Sequence, residues 1–223
     1  MTSSPWSGEP SGSGRSGRSR SQPGRLIEIV TVVLLAVATV GSAWSAYQVS
    51  RWNGVETDEA RASAVLRIES SREFGLATQV AAYDAATVAQ YAAAVASENE
   101  ALQDFLRATL VRPGFVPMFD SWEAQISAGQ TPTNLLADEE YLDGLFASSD
   151  ALDAEAGEAT ARAEEAGANG DDYIRLTLFF ASALFFAGIT ASFSTRFSKI
   201  LLLLGSAVIL GAAGVLLAGF PVA

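Results

Sequence analysis

Residues 43–55 read AWSAYQVSRWNGV, and they divide the chain into two kinds of sequence. Before them, 26–48 is an apolar run with one charge, Glu28, in its first turn. After them, 49–172 is polar and acidic. A helix needs about 20 apolar residues to cross the hydrocarbon core, so the run is long enough to span a bilayer. Trp44 and Tyr47 stand three apart and Trp52 eight after Trp44, which puts the three near one helical face. Trp and Tyr prefer the headgroup layer, where ring and polar tip are both satisfied. Arg51, four after Tyr47, can snorkel to phosphates from that face. Trp44, Tyr47, Arg51 and Trp52 are therefore expected to anchor the exit of the first span at the membrane interface. Asn53-Gly54 suits a turn, and a kink or helix end is expected there.

Two further runs, 173–193 and 200–220, have the length and composition of membrane spans. The link between them, 194–199 (STRFSK), is too short for anything but an antiparallel helix pair. Small residues recur on each span: Ala38, Ser42 and Ala46; Ala183, Ala187 and Ala191; Ala207 with Gly211, and Gly214 with Ala218. Lipid gives no hydrophobic drive for helix association, so close backbone packing decides it. One small-residue face per helix is expected, meeting in a three-helix bundle or in an oligomer.

Charge sets the orientation. Residues 1–25 are mostly Ser, Gly, Pro and Arg, with almost nothing apolar to bury, and read as a disordered tail. Arg15, Arg18, Arg20 and Arg25 lie there, and Arg196 and Lys199 lie in the short link. The positive-inside rule places both clusters in the cytoplasm, and three crossings put them on one side. Glu28 then sits near Arg25 at a helix N-terminus, where a carboxylate is favoured. Segment 49–172 and the C-terminus are expected outside a plasma (inner) membrane. A cleaved leader is the rival for the first span, with Ala43-Trp44-Ser45 as its cleavage site. Leader apolar regions run to roughly 7–15 residues, shorter than this one.

The outer segment is expected to be a helical bundle or coiled coil. In 55–112, Leu76, Val80, Tyr83, Tyr91, Val95, Leu102, Phe105 and Leu106 recur mostly at helical steps and predict one buried stripe. Gly75 is the expected weak point, and Arg112-Pro113-Gly114 the stop. The apolar patch Phe115, Val116, Met118, Phe119 and Trp122 is expected to pack on its own bundle. Asp120 and Glu123 predict the start of a short helix ending near Gly129, and Thr131-Pro132 the start of the next. Gly167–Gly170 is expected to end that helix, with Asp171-Asp172 capping the second span.

With its A-W-x-A-Y-Q-x-x-R-W-x-G-V motif closing a first membrane helix, its Ala-rich helical segment and its terminal apolar pair, the chain resembles a family of uncharacterised bacterial integral membrane proteins. The resemblance covers 26–223 in architecture and is specific at 44–55. It implies the architecture and carries no chemistry.

Composition excludes several chemistries. There are no Cys and no His, so thiol and imidazole catalysis, disulfides and the usual zinc and iron–sulfur ligand sets are excluded. Of the net charge of −11, residues 49–172 carry −16, from 23 acidic and 7 basic side chains, the wrong sign for nucleic acid. Lys199, the one lysine, lies in the cytoplasmic link, so no Ser–Lys pair forms outside. Asp138, Glu139, Glu140, Asp143, Glu155 and Glu158 match no calcium loop and read as solvated helix faces. No phosphate loop, dinucleotide fingerprint or nucleophile elbow is present. The expectation is an all-α integral membrane protein with three transmembrane helices and an extracytoplasmic helical domain. No enzymatic activity, cofactor or metal is expected. The expected partners are the lipid bilayer and either a second copy of the chain or another membrane protein, with no nucleic acid. The leading function is structural, scaffolding or partner-binding, and the alternative is a sensory or accessory subunit of a transport or signalling complex.

Overall fold

The computed structural model describes residues 22–134 and 138–223. The described residues form five α-helices: α1 (Gln22–Ala96), α2 (Glu100–Leu110), α3 (Val116–Ser127), α4 (Glu139–Ile189) and α5 (Arg196–Gly219). Short 3-10 turns occupy Pro113–Phe115 and Thr190–Ser192. No strand occurs among the described residues. Three of the helices, α1, α4 and α5, are long and apolar enough to cross a membrane. The fold is therefore all-α with three candidate spans. Contacts divide the chain into two compact units: one holds α1 up to Gln48 and the chain from Asp172 to Val222, the other is Val49–Asp171.

In the first unit, four hydroxyl side chains inside the apolar helices are satisfied by their own helix backbone. Thr31 donates to the Ile27 carbonyl, Thr39 to Leu35, Thr177 to Tyr173 and Ser182 to Leu178, all at 2.7–3.0 Å. Between helices, Ser206 on α5 donates to the Ala183 carbonyl on α4 at 2.9 Å. Tyr173 donates to the Pro221 carbonyl at 3.1 Å and packs edge-on against Phe220. The contact surfaces are small: Ala38, Ala183, Ala187 and Ala213 are fully buried. Gly41 lies under the ring of Phe180, and an added Cβ would sit 2.5 Å from that ring. The expected small-residue faces hold in part. Ala38, Ala183 and Ala187 are buried and Ser42 half-buried, but Ala46, Ala191, Ala207, Gly211, Gly214 and Ala218 are exposed. Helix α5 packs instead through Leu203, Ser206 and Ala213.

The second unit is built on an antiparallel pairing of α1 with α4. Its register is read from contacts: Gly170 beside Asn53, Gly167 beside Glu56, Ser63 donating to the Ala156 carbonyl, and Ser70 to the Ser149 carbonyl. The seam repeats every seven residues, the coiled-coil spacing. On α1 it runs Ser63, Ser70, Ala77, Asp84, Tyr91; on α4 it runs Ser149, Ala156, Ala163, Gly170, and all of these are buried or half-buried. Mostly small side chains make the seam, so it matches the expected stripe only in part. Leu76, Tyr83, Leu102 and Phe105 are exposed, whereas Tyr91 and Leu106 are buried and Val80 and Val95 half-buried.

Several helix ends also differ from expectation. Helix α1 continues through Gly54 and Gly75 and stops at Ala96. There Glu98 takes a left-handed backbone (φ 53°), and the Asn99 side chain caps α2 by accepting from the Leu102 amide. Helix α2 then stops before Arg112, which is extended as the residue ahead of Pro113 must be. Helix α3 starts at Val116, so Asp120 and Glu123 lie inside it rather than at its start. It closes through Gly129 at φ +71°, where glycine alone is unstrained. No helix starts at Thr131-Pro132: Thr133 is held by the Gln125 side chain through its amide and hydroxyl. Helix α4 begins at Glu139, with Asp138 accepting from the Tyr141 amide. Gly167–Gly170 does not end it, because Gly167 and Gly170 sit against α1, where an added Cβ would come within 3.1–3.2 Å of Glu56 and Asn53.

Candidate functional site

The densest set of polar interactions lies at the far end of the α1/α4 seam. Asp84 is the one acid among the small residues of α1 from Ala77 to Ala96, and it is 2% exposed. Both of its oxygens accept from Arg112 Nε at 2.9 Å, and Oδ2 also accepts from Arg112 Nη2 at 2.6 Å. The Tyr141 hydroxyl donates to Oδ2 at 2.8 Å. Three segments meet here: α1, the α2–α3 turn and the first turn of α4. The Asp84 hydrogen bond raises Arg112 further above its usual pKa, against the lowering effect of burial. Tyr141 is pushed up to about 12, first by burial and then by its bond to Asp84. At neutral pH the carboxylate thus accepts from a charged guanidinium and a neutral phenol.

A second set closes the lobe. Arg107 on α2 pairs with Glu123 and Asp120 on α3, and Tyr91 on α1 donates to Glu123. Tyr91, Leu106, Phe115, Phe119 and Trp122 form the buried core beneath, with Tyr91 edge-on to Phe119 at 4.8 Å. The apolar patch around Pro117 therefore packs on its own bundle, with Val116 left at the surface. Asp84, Asp120 and Glu123 are each engaged by an arginine. Ser63 and Ser70 donate to backbone carbonyls of α4. Such an arrangement can hold a lobe shut and present its outer faces; it places no free base beside a nucleophile.

The residues expected at the membrane interface are placed as follows. Trp44 and Tyr47 are exposed, with ring centroids 5.8 Å apart. Trp44 also lines a mainly apolar groove of about 680 Å³ with Val37, Val40 and Gly41 of α1, Phe180 of α4, and Leu210 and Gly214 of α5. Arg51 is exposed. Trp52 is half-buried in the α1/α4 seam near Gly170, with a buried Nε1 that has no hydrogen-bond acceptor. Of the cationic residues, Arg25 and Arg196 are exposed and Lys199 is half-buried in the first turn of α5. Arg15, Arg18 and Arg20 lie outside the described residues. No group of three or more acidic side chains converges as a metal site among the described residues.

No family model, no curated protein and no solved structure matches the chain. The Asp84–Arg112–Tyr141 set was not apparent from sequence. Its one signal is a lone carboxylate at a seven-residue seam position between Ala77 and Tyr91.

Proposed function

We propose that this is a multi-pass protein of the plasma (inner) membrane whose role is non-catalytic: a structural, scaffolding or partner-binding protein that presents an acidic helical domain on the extracytoplasmic side. In this reading α1, α4 and α5 cross the bilayer. The N-terminal Arg cluster and the link with Arg196 and Lys199 face the cytoplasm. The 49–172 segment and the C-terminus lie outside, and the resemblance through residues 44–55 belongs to the same proposal. The observation that carries the role is that Asp84, the one buried charge among the described residues, is closed on Arg112, while the acidic unit's outer helix faces stay uncovered. Such a unit is suited to contact through its surface.

Crosslinking in living cells, followed by purification of the full chain, tests the role. Adducts between copies, or with another membrane protein, are expected. Adducts with a transport or signalling protein would favour the accessory-subunit alternative. A chain that forms no protein adducts and turns over a small molecule would contradict both.

A further inference from the structure

The two long helices of the Val49–Asp171 unit carry complementary outer faces, turned away from their shared seam. On α1 the outer seven-residue stripe includes Arg61, Val65, Ile68 and Arg72, all exposed, with Ile68 71% exposed. On α4 it includes Asp150, Ala154, Gly157 and Glu164, all exposed, and nothing lies within 4 Å of a Cβ added at Gly157. The register of the seam puts these at matching levels. Arg72 is about level with Asp150, Ile68 with Ala154, Val65 with Gly157, and Arg61 lies between Glu158 and Glu164. Large side chains thus stand opposite small ones, and cations opposite anions. Asp58 is the exception, falling near Glu164, and it is already paired with Arg61 at 3.3 Å.

We propose that copies of this chain associate side by side, α1 of one against α4 of the next, through this stripe. The inference rests on the reading above, in which all copies stand in one membrane with one orientation. The occupant is a second copy because both halves of the match lie on one chain, at the same levels and on opposite sides. Copies inserted alike present α1 to a neighbour's α4 antiparallel and in register, with no sliding needed. The pairing is heterologous: each contact leaves one α1 and one α4 face open, so association continues into a ring or an array. The scaffold would be built from the protein itself.

The chain has no cysteine, so introduced thiols report without background. A full-length chain carrying both Ile68→Cys and Ala154→Cys, oxidised in its native membrane, should give a ladder of dimers, trimers and larger species. Each single variant should remain monomeric. Adding Arg72→Glu should reduce the ladder about five-fold, the upper end for an exposed ion pair, and Asp150→Arg in the same chain should restore it. Self-crosslinking of Ile68→Cys alone, a product that stops at dimer, or an adduct whose mass is no multiple of the chain would overturn the proposal. Labelling of Ser121→Cys, exposed on α3 and outside the stripe, by an impermeant maleimide in intact cells separates the two levels. Labelled but unladdered chains sink the association and leave the outer placement standing. Unlabelled chains remove the placement, and the association with it.

Discussion

The clearest energetic consequence of the fold is an asymmetry at Asp84 and Arg112. The carboxylate is buried, with a side chain 3% exposed, whereas the Arg112 side chain is 33% exposed. Arg112→Met leaves a carboxylate under the lobe with only the Tyr141 hydroxyl, and breaking a buried pair this way costs roughly 3–5 kcal/mol. Asp84→Leu leaves a guanidinium that can turn toward water, so its cost should be nearer the roughly 1–3 kcal/mol of a lost partner. The double variant removes both charges and should cost less than the sum, with a coupling on the order of 1–3 kcal/mol. The lobe α2–α3 depends on this contact, so amide exchange over Glu100–Leu110 and Val116–Ser127 in full-length protein in nanodiscs is the assay. At ~1.4 kcal/mol per tenfold, Arg112→Met should speed exchange there on the order of 10²–10³-fold. Asp84→Leu should speed it less. Equal effects of the two single changes, adding fully in the double, would refute the reasoning.

Three further outcomes follow from particular contacts. Gly41→Val should lower the thermal stability of the solubilised protein by about 1–3 kcal/mol, because its side chain meets the Phe180 ring, and Phe180→Ala in the same chain should recover part of the loss. The raised pKa of Tyr141 means its contribution is fully present below about pH 10, the unfolded value, and is lost as pH rises through about 12. Denaturant titrations should therefore show the wild type losing stability relative to Tyr141→Phe across that window, and a constant difference between the two would refute this. Replacing Trp44 and Tyr47 with Ala should shift the depth of α1, read by quenching of a probe placed at Val40 with lipids brominated at known positions; an unchanged depth would remove them as anchors.

The all-helical fold and the three candidate spans were legible in the sequence because apolar length is a strong signal. Several helix ends were not, and the glycines show why. A helical glycine costs about 1 kcal/mol and suggests a break. At Gly167 and Gly170 that cost is offset by the close approach of Glu56 and Asn53, a tertiary fact that local sequence does not display. The buried stripe of α1 was legible only in part, for a related reason. Large side chains such as Leu76 and Tyr83 suggested the inner face, whereas close helix pairing selects Ser63, Ser70 and Ala77. The stop at Ser97-Glu98-Asn99 did have a signal, a polar run with Asn placed to cap the next helix. Asp84 pairs with Arg112 and Tyr141, distant in sequence, so only the folded lobe brings the three together.

The central claim is the disposition of the chain across the membrane, and single cysteines test it most directly. Placed at Ser13, Ala147 and Ser198 of the otherwise thiol-free chain, they should react with an impermeant maleimide in intact cells only at Ala147. After permeabilisation, all three should react. Labelling of Ser13→Cys or Ser198→Cys in intact cells, or protection of Ala147→Cys, would contradict the account.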